Sequence, residues 1–388
     1  MTVKPTVVGL FAGIGGIELG LHKAGFTSEL VCEIDAAAQR VLRRRFGEAD
    51  LVPDVRELRS IPKADLITAG FPCQDLSQAG RTAGIAGKQS SLVGEVFRLI
   101  DRRGSAPRWL LLENVPFMLQ LQAGRAMRYL VNELEERGYT WAYRVVDARA
   151  FGLPQRRKRV LLLASRTEDP RPVLFHGSEE EPEAPQYDKV ACGFYWTEGI
   201  RGLGWAVDAI PTLKGGSTIG IPSPPAIRLP LDRNVVTPDI RDAERLQGFP
   251  ADWTLPAVEN TAARKGARWR LVGNAVSVQV ARWVGDRLMG GESNGGYREQ
   301  PLAEGEPWPK AAWGSKGRSY RVELSLWPVR EPYQHLEDFL SYPVRPLSVR
   351  ATAGFLARTQ ISSLRFPRGF LRDVRMHASR MRRELSSM

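Results

Sequence analysis

The sequence predicts an α/β protein built on a doubly wound, mostly parallel sheet, with a small loop-rich domain and a C-terminal extension attached. Three observations carry this. In the first 165 residues apolar strand-like runs alternate with segments at helical spacing; from about 166 to 235 the texture turns rich in Pro, Gly and Glu; and 341 to 388 is dominated by arginine. With 388 residues, 43% hydrophobic and 25% charged, the chain has enough apolar sequence for more than one core.

The strand-like runs are VVGLF (7 to 11), ELVCE (29 to 33), DLITA (65 to 69), WLLLE (109 to 113) and RVLLLAS (159 to 165). Between them Ile17, Leu21 and Ala24, and then Leu92, Val96, Leu99 and Ile100, fall at helical spacing. Short strand-like pieces follow through HGSEEEPEAP and KGGSTIGIPSPP, and helical sequence returns at 241 to 249 and 275 to 288. Residues 290 to 319 read as a Gly- and Pro-rich linker. The expected division is 1–174, 175–268, a helix at 269–289 returning to the first domain, and 290–388 as linker plus basic extension.

No apolar run is long enough for a membrane helix and no cleavable leader is visible, so a cytoplasmic protein is expected. The formal charge of +12 fits a polyanionic partner, because Lys and Arg displace the counterions around phosphates. Residues 341 to 388 hold ten Arg and no Lys against one Asp and one Glu, which is +8 of that total. The three cysteines, Cys32, Cys73 and Cys192, are odd in number and far apart, and the four histidines do not cluster with them; neither a disulfide framework nor a metal site is expected.

In a doubly wound sheet the ligand lies beyond the carboxyl ends of the strands. The first such end reads FAGIGG, where Gly13, Gly15 and Gly16 keep side chains out of a ligand's way beside free helix N-terminal amides. Against the dinucleotide fingerprint G-x-G-x-x-G, Glu18 stands where the last glycine belongs, which counts against NAD. Glu33 ends the second strand, placed either to accept hydrogen bonds from a ribose diol or to be a solvated carboxylate; Asp54 is read as an adenine contact or a turn residue. Cys73, in GFPCQ, lies in the polar turn after the third long run, where a thiol meets a ligand rather than a core. Glu113 ends the neighbouring strand in ENVP, suited to donate a proton to a ring nitrogen, with Asn114 placed to hold the adjoining backbone. Arg157 and Arg159, two apart before a strand, are expected on one face. A thiolate, a protonated carboxyl and paired cations suit addition to an electron-poor ring.

In order, FAGIGG, GFPCQ, ENV, PQRRKR, RDAERLQGFP and GNAVS resemble the motifs of the DNA (cytosine-5)-methyltransferases, spanning residues 7 to 283. The resemblance implies a class I, Rossmann-like methyltransferase fold and transfer of a methyl group from S-adenosylmethionine, with S-adenosylhomocysteine as product and no metal. Phe11, Gly13, Gly15, Gly16, Glu33, Ile34, Asp54, Val55, Pro72, Asn274 and Val276 would form the cofactor site. Cys73 would attack C6 of a flipped-out cytosine in double-stranded DNA, Glu113 would engage N3, and Arg157 and Arg159 would orient the base. Gln74, Ser77, Arg81, Thr212 and Lys214 would contact DNA, residues 175–268 forming the target recognition domain. A monomer in the cytoplasm, at the nucleoid, working with a cognate restriction endonuclease or without one, is the further expectation.

Gly9, where many members have Asp or Ser, Leu76, where Phe is common, and AGKQSSLVGE depart from the family pattern. A tRNA cytosine-5 methyltransferase and a catalytically silent DNA-binding relative are the alternatives; an amino-methyltransferase would need a Pro-Pro-aromatic element that GFPCQ lacks. The arginine-rich tail is read either as an additional DNA or partner contact or as an appendage packed on the core with a basic outer face.

Overall fold

The computed structural model describes residues 4–72, 92–102, 106–197, 204–215, 222–259, 266–290 and 296–387. The chain forms two compact units: Met1–Ala150 with Lys158–Glu181 and Ala275–Arg330, and Phe151–Arg157 with Pro182–Asn274 and Glu331–Met388. Among the described residues no helix is long and apolar enough to cross a membrane.

In the first unit, β1 (Thr6–Leu10), β2 (Thr27–Cys32), β3 (Asp50–Val52), β4 (Leu66–Ala69) and β5 (Trp109–Asn114) pair in parallel in the order β3-β2-β1-β4-β5. Helices α1 (Gly16–Lys23), α2 (Ala36–Arg45), α3 (Leu92–Ile100) and α4 (Arg125–Glu136) alternate with these strands. Strands β4 and β5 are buried along their whole length, as parallel strands covered on both faces must be.

Beyond β5 the sheet departs from the mostly parallel expectation. Strand β6 (Thr140–Asp147) follows α4, and β7 (Lys158–Ser165) inserts between β5 and β6, antiparallel to both. A buried apolar run such as RVLLLAS carries no information about its direction. The run that makes β6 lies outside the strand-like runs of the sequence, and Arg144 interrupts its apolar pattern. That side chain is fully buried, and its guanidinium donates to the carbonyls of Leu174, His176, Gly177 and Ser325. Four carbonyl partners offset a desolvation that pulls its pKa down to about 9.

Helix α5 (Val278–Leu288) packs on α1 at a separation only glycine permits. A Cβ on Gly20 would lie 2.5 Å from the Val278 carbonyl oxygen, and one on Gly285 would lie 2.6 Å from the Ala24 Cβ. The stretch read as linker then adds β8 (Glu299–Pro301), β9 (Ala311–Ser315) and β10 (Arg318–Val322), giving a ten-stranded sheet in the order β8-β10-β9-β6-β7-β5-β4-β1-β2-β3. Aromatic rings make this possible despite the Gly and Pro content. Trp308 packs edge-on against Trp141 and Tyr143 and donates to the Gly124 carbonyl at 3.0 Å.

The second unit is built on an antiparallel five-stranded sheet, in the order Trp205–Val207, Cys192–Phe194, Ala226–Arg228, Val235–Thr237, Arg345–Pro346. The C-terminal residues complete its core. Helices Val349–Gln360 and Phe370–Ser386 bring Phe355 and Phe370 to ring-centroid distances of 4.8 and 5.0 Å from Phe194, and Leu347 and Val374 fill in around them. Asp373, fully buried, receives the buried Arg228 guanidinium at 2.9 Å, and Arg228 also donates to the carbonyls of Tyr187 and Val190. The arginine-rich tail is thus an integral part of this unit, with most of its cations on the outside.

Two substitutions test these contacts. Gly20→Ala is expected to lower unfolding free energy by about 1–3 kcal/mol, since the obstructing atom is backbone and cannot rotate away. Asp373→Ala, which strands a buried guanidinium, is expected to cost about 3–5 kcal/mol. Urea unfolding followed by circular dichroism reads both.

Candidate active site

At the end of β1 the chain turns through three residues with positive φ: Phe11 at 57°, Gly13 at 58° and Gly15 at 81°. Gly15 precedes α1 as its N-terminal cap, and a Cβ there would fall 2.2 Å from the Phe46 ring, while a Cβ on Gly13 would meet nothing within 4 Å. Gly13 therefore opens onto free space, and Gly15 is held by packing from behind.

Glu33, just past β2, ties this turn to the next one. Its Oε2 accepts from the Gly13 amide at 2.8 Å and its Oε1 from the Asp35 amide at 2.8 Å, while Gln39 Nε2 donates to its carbonyl at 2.8 Å. Burial raises the pKa of the Glu33 carboxyl, and the two amides pull against that rise. Ile34 next to it is 67% exposed, an apolar side chain held out at a strand end. Asp35 caps α2 through the amides of Ala37 and Ala38.

Asp54, beyond β3, is occupied by its neighbour. Arg56 donates through its amide and guanidinium to both carboxylate oxygens, and these bonds hold the Asp54 carboxyl below its usual range. Val55 is buried and Pro72 is exposed. Cys73, Gln74, Ser77 and Arg81 lie outside the described residues.

The end of β5 carries the most deeply buried charge pair among the described residues of the site. Arg159 Nε lies 2.7 Å from Glu113 Oε1, with both side chains close to fully buried. Burial pushes the Arg159 guanidinium below its ordinary pKa, against the pull of the Glu113 carboxylate. Asn114 holds the adjoining backbone as its position predicts: its Nδ2 donates to the Phe71 carbonyl at 3.0 Å and its Oδ1 accepts from the Val115 amide at 2.9 Å. The turn two residues before Cys73 is thereby fixed to the strand that carries Glu113.

Arg157 and Arg159 take different partners. The Arg157 guanidinium, in the second unit and 2% exposed, donates to the carbonyls of Leu213 and Gly273 at 3.2 and 3.3 Å. Asn274 is also in that unit, its Oδ1 within 2.6 Å of where a Gly215 Cβ would stand, whereas Val276 belongs to the first. Thr212 Oγ1 donates to the Arg156 carbonyl at 2.8 Å, and Lys214 Nζ sits 4.9 Å above the Tyr195 ring. These residues, with Trp205, line a cleft of about 450 Å³ in the second unit.

Residues 6–203 match the sequence profile of the C-5 cytosine-specific DNA methylases. The chain belongs to that family. It is 51% identical over 360 residues to the Type II methyltransferase M2.BsuMI of Bacillus subtilis (strain 168), over 91% of this chain and 92% of that one. It is 28% identical over 316 residues to the Type II methyltransferase M.DsaV of Dactylococcopsis salina, over 73% and 85% of the two chains. In fold it is similar to the S. pombe Dnmt2 methyltransferase, with a TM-score of 0.52 at 16% identity, covering 72% of this chain and 97% of that one. The methylase is thus a class I methyltransferase in fold and a cytosine C5 DNA methyltransferase in activity.

One buried group of this methylase was read from the sequence only as a missing glycine. Glu18, 1% exposed, sets its carboxyl against β1 and β4, accepting from Thr68 Oγ1 at 3.4 Å, and its Oε2 has no partner among the described residues. The signal was Gly9, one of the departures from the family pattern: a Cβ there would stand 2.2 Å from Glu18 Oε1, so Gly9 and Glu18 form one feature. Burial raises the Glu18 pKa from 4.5 to about 7, so between those values the folded chain keeps a proton that the unfolded chain has lost. Stability from this group is complete below about pH 4.5 and declines as pH rises to about 7. Glu18→Gln, which cannot ionise, is expected to melt level with the native chain at the low end and above it at the high end. Thermal melts across that range check this, and a constant difference at all pH values would refute it.

Proposed function

We propose that this methylase is the modification enzyme of a type II restriction-modification system, methylating cytosine at C5 within a specific double-stranded DNA sequence through a covalent adduct of Cys73. The close relation to M2.BsuMI, a Type II methyltransferase, supports the biological setting. The observation that carries the chemistry is the Glu113–Arg159 pair, together with the Asn114 hydrogen bond that ties the Cys73 turn to the same strand.

S-adenosylmethionine, when bound, supplies an electrophilic methyl group. The residues present fit it: Gly13 faces open space, Glu33 is anchored for a ribose, and Ile34 offers exposed apolar surface for an adenine. Phe11, Gly15, Gly16, Val55, Pro72, Asn274 and Val276 complete the proposed site. Asp54 would reach an adenine amine only by sharing its carboxylate with Arg56.

On the target base, the Cys73 thiolate adds to C6 while Glu113 engages N3 and shares a proton with it, which moves electron density to C5. Once C5 carries the methyl group, loss of the C5 proton to a base, expulsion of the thiolate and return of the N3 proton to Glu113 restore the neutral ring. Arg159 holds the Glu113 carboxyl in its orientation. Arg157 acts as a positioning residue, holding the Leu213 and Gly273 backbone. Gln74, Ser77, Arg81, Thr212 and Lys214 are the proposed DNA contacts, and a cognate endonuclease and a monomeric state belong to the same reading.

Mass spectrometry of nucleosides, after the protein is incubated with S-adenosylmethionine and either unmethylated duplex DNA or tRNA, tests this. 5-Methyldeoxycytidine is expected from the DNA alone; product from tRNA alone would overturn the DNA assignment. Cys73→Ala is expected to abolish transfer, and Glu113→Gln to lower it by about 10²–10⁴-fold. Full activity in Cys73→Ala would exclude the covalent route.

A further inference from the structure

We propose that the outer face of the helix Phe370–Ser386, with Arg368 beside it, is a contact surface for the phosphate backbone of duplex DNA, separate from the recognition of the target base. The inference rests on DNA being the substrate.

The helix divides by side. Phe370, Asp373, Val374, His377 and Ala378 are buried. Asp373 is bound by Arg228, and His377 lies between the Val235 amide at 3.3 Å and the Leu347 carbonyl at 2.8 Å. Arg372, Arg375, Arg382 and Arg383 are exposed on the opposite side, as is Arg368 in the turn before the helix. Arg372 lies 3.2 Å from Asp373, whose charge is already spent on Arg228. The guanidinium groups of Arg368, Arg375, Arg382 and Arg383 bond to no described residue, and Glu384 is the one exposed acid among residues 368–387.

Such a face has the chemistry of a phosphate surface. Arginine presents a planar fork that matches phosphate oxygens, and the absence of lysine over residues 341–388 is what that use calls for. From Arg372 to Arg383 the helix rises about 16 Å, the axial length of roughly five base pairs. The inner contacts hold the helix in place before binding, so only the arginine side chains are ordered on contact. A lipid surface fits poorly, because an interfacial helix needs a free apolar face and this one is committed to the core.

Deleting the helix would remove the core of the second unit, so the test neutralises charge in the full chain. The probe is an alternating A-T duplex of about 30 base pairs, which holds no cytosine and reports backbone affinity alone. Arg375→Gln, Arg382→Gln and Arg383→Gln together are expected to weaken binding at least ten-fold near 0.1 M salt and to flatten the slope of log affinity on log salt by about 2–3. The same three changed to Lys should keep the slope. Neutralising Arg298, Lys316 and Arg318, exposed cations of the first unit, should change affinity less than two-fold. An unchanged slope in the ridge variant, or an equal loss in the control, overturns the proposal. So does retained duplex affinity with loss of binding to phosphatidylserine vesicles. Absence of 5-methyldeoxycytidine with the native chain would instead strike the reading of the reaction.

Discussion

The direction of β7 is the constraint on which the reacting site depends. Strands β1, β2, β4 and β5 run the same way, so their carboxyl ends bring the glycine turn, Glu33, Pro72 and Glu113 to one edge of the sheet. Because β7 runs against β5, its beginning lies at that same edge, and the register that sets Asn114 opposite Val160 brings Arg159 to Glu113. A parallel strand of identical sequence would have carried Arg159 to the far edge. The antiparallel insertion is therefore what turns a binding edge into one with a buried acid and cation in contact.

Behind that edge, small residues decide how closely the layers approach. Gly9 leaves room for the Glu18 carboxyl, Gly15 for the Phe46 ring, and Gly20 and Gly285 for the contact between α1 and α5. Each lets a neighbour take space that a Cβ would fill, and the result is a glycine turn held firmly from beneath while Gly13 stays open above. The Glu33 carboxylate completes the arrangement by accepting from two backbone amides, so the turn is anchored by directional bonds as well as by packing.

Much of the first unit was legible because buried parallel strands read as continuous apolar runs and their ends carry the polar residues. The Asn114 role followed from its place beside a strand-end acid. What escaped the sequence has common causes. Strand direction leaves no mark on an apolar run, so β7 was placed without its orientation. Polar groups buried against backbone carbonyls look like surface residues, which hid β6 behind Arg144 and left the partners of Arg157 unforeseen. The last hundred residues were misleading because their apolar positions, such as Trp308, Phe355 and Phe370, find their partners far back in the chain. Local periodicity cannot reveal such long-range pairings.

The second unit takes its core from two stretches, one from Cys192 to Val235 and one from Leu347 to Val374, that lie more than 110 residues apart. During synthesis the strands around Cys192, Ala226 and Val235 emerge long before the helices that cover them. Until residues 355–373 emerge, Phe194 lacks the rings of Phe355 and Phe370 and Arg228 lacks its carboxylate. A stop before Phe370 would leave an open apolar sheet and a stranded guanidinium, so such a chain should be cleared as misfolded rather than persist as a weaker enzyme. Closure of this unit is thus ordered by synthesis, because its sheet is covered only after Phe355, Phe370 and Asp373 have left the ribosome.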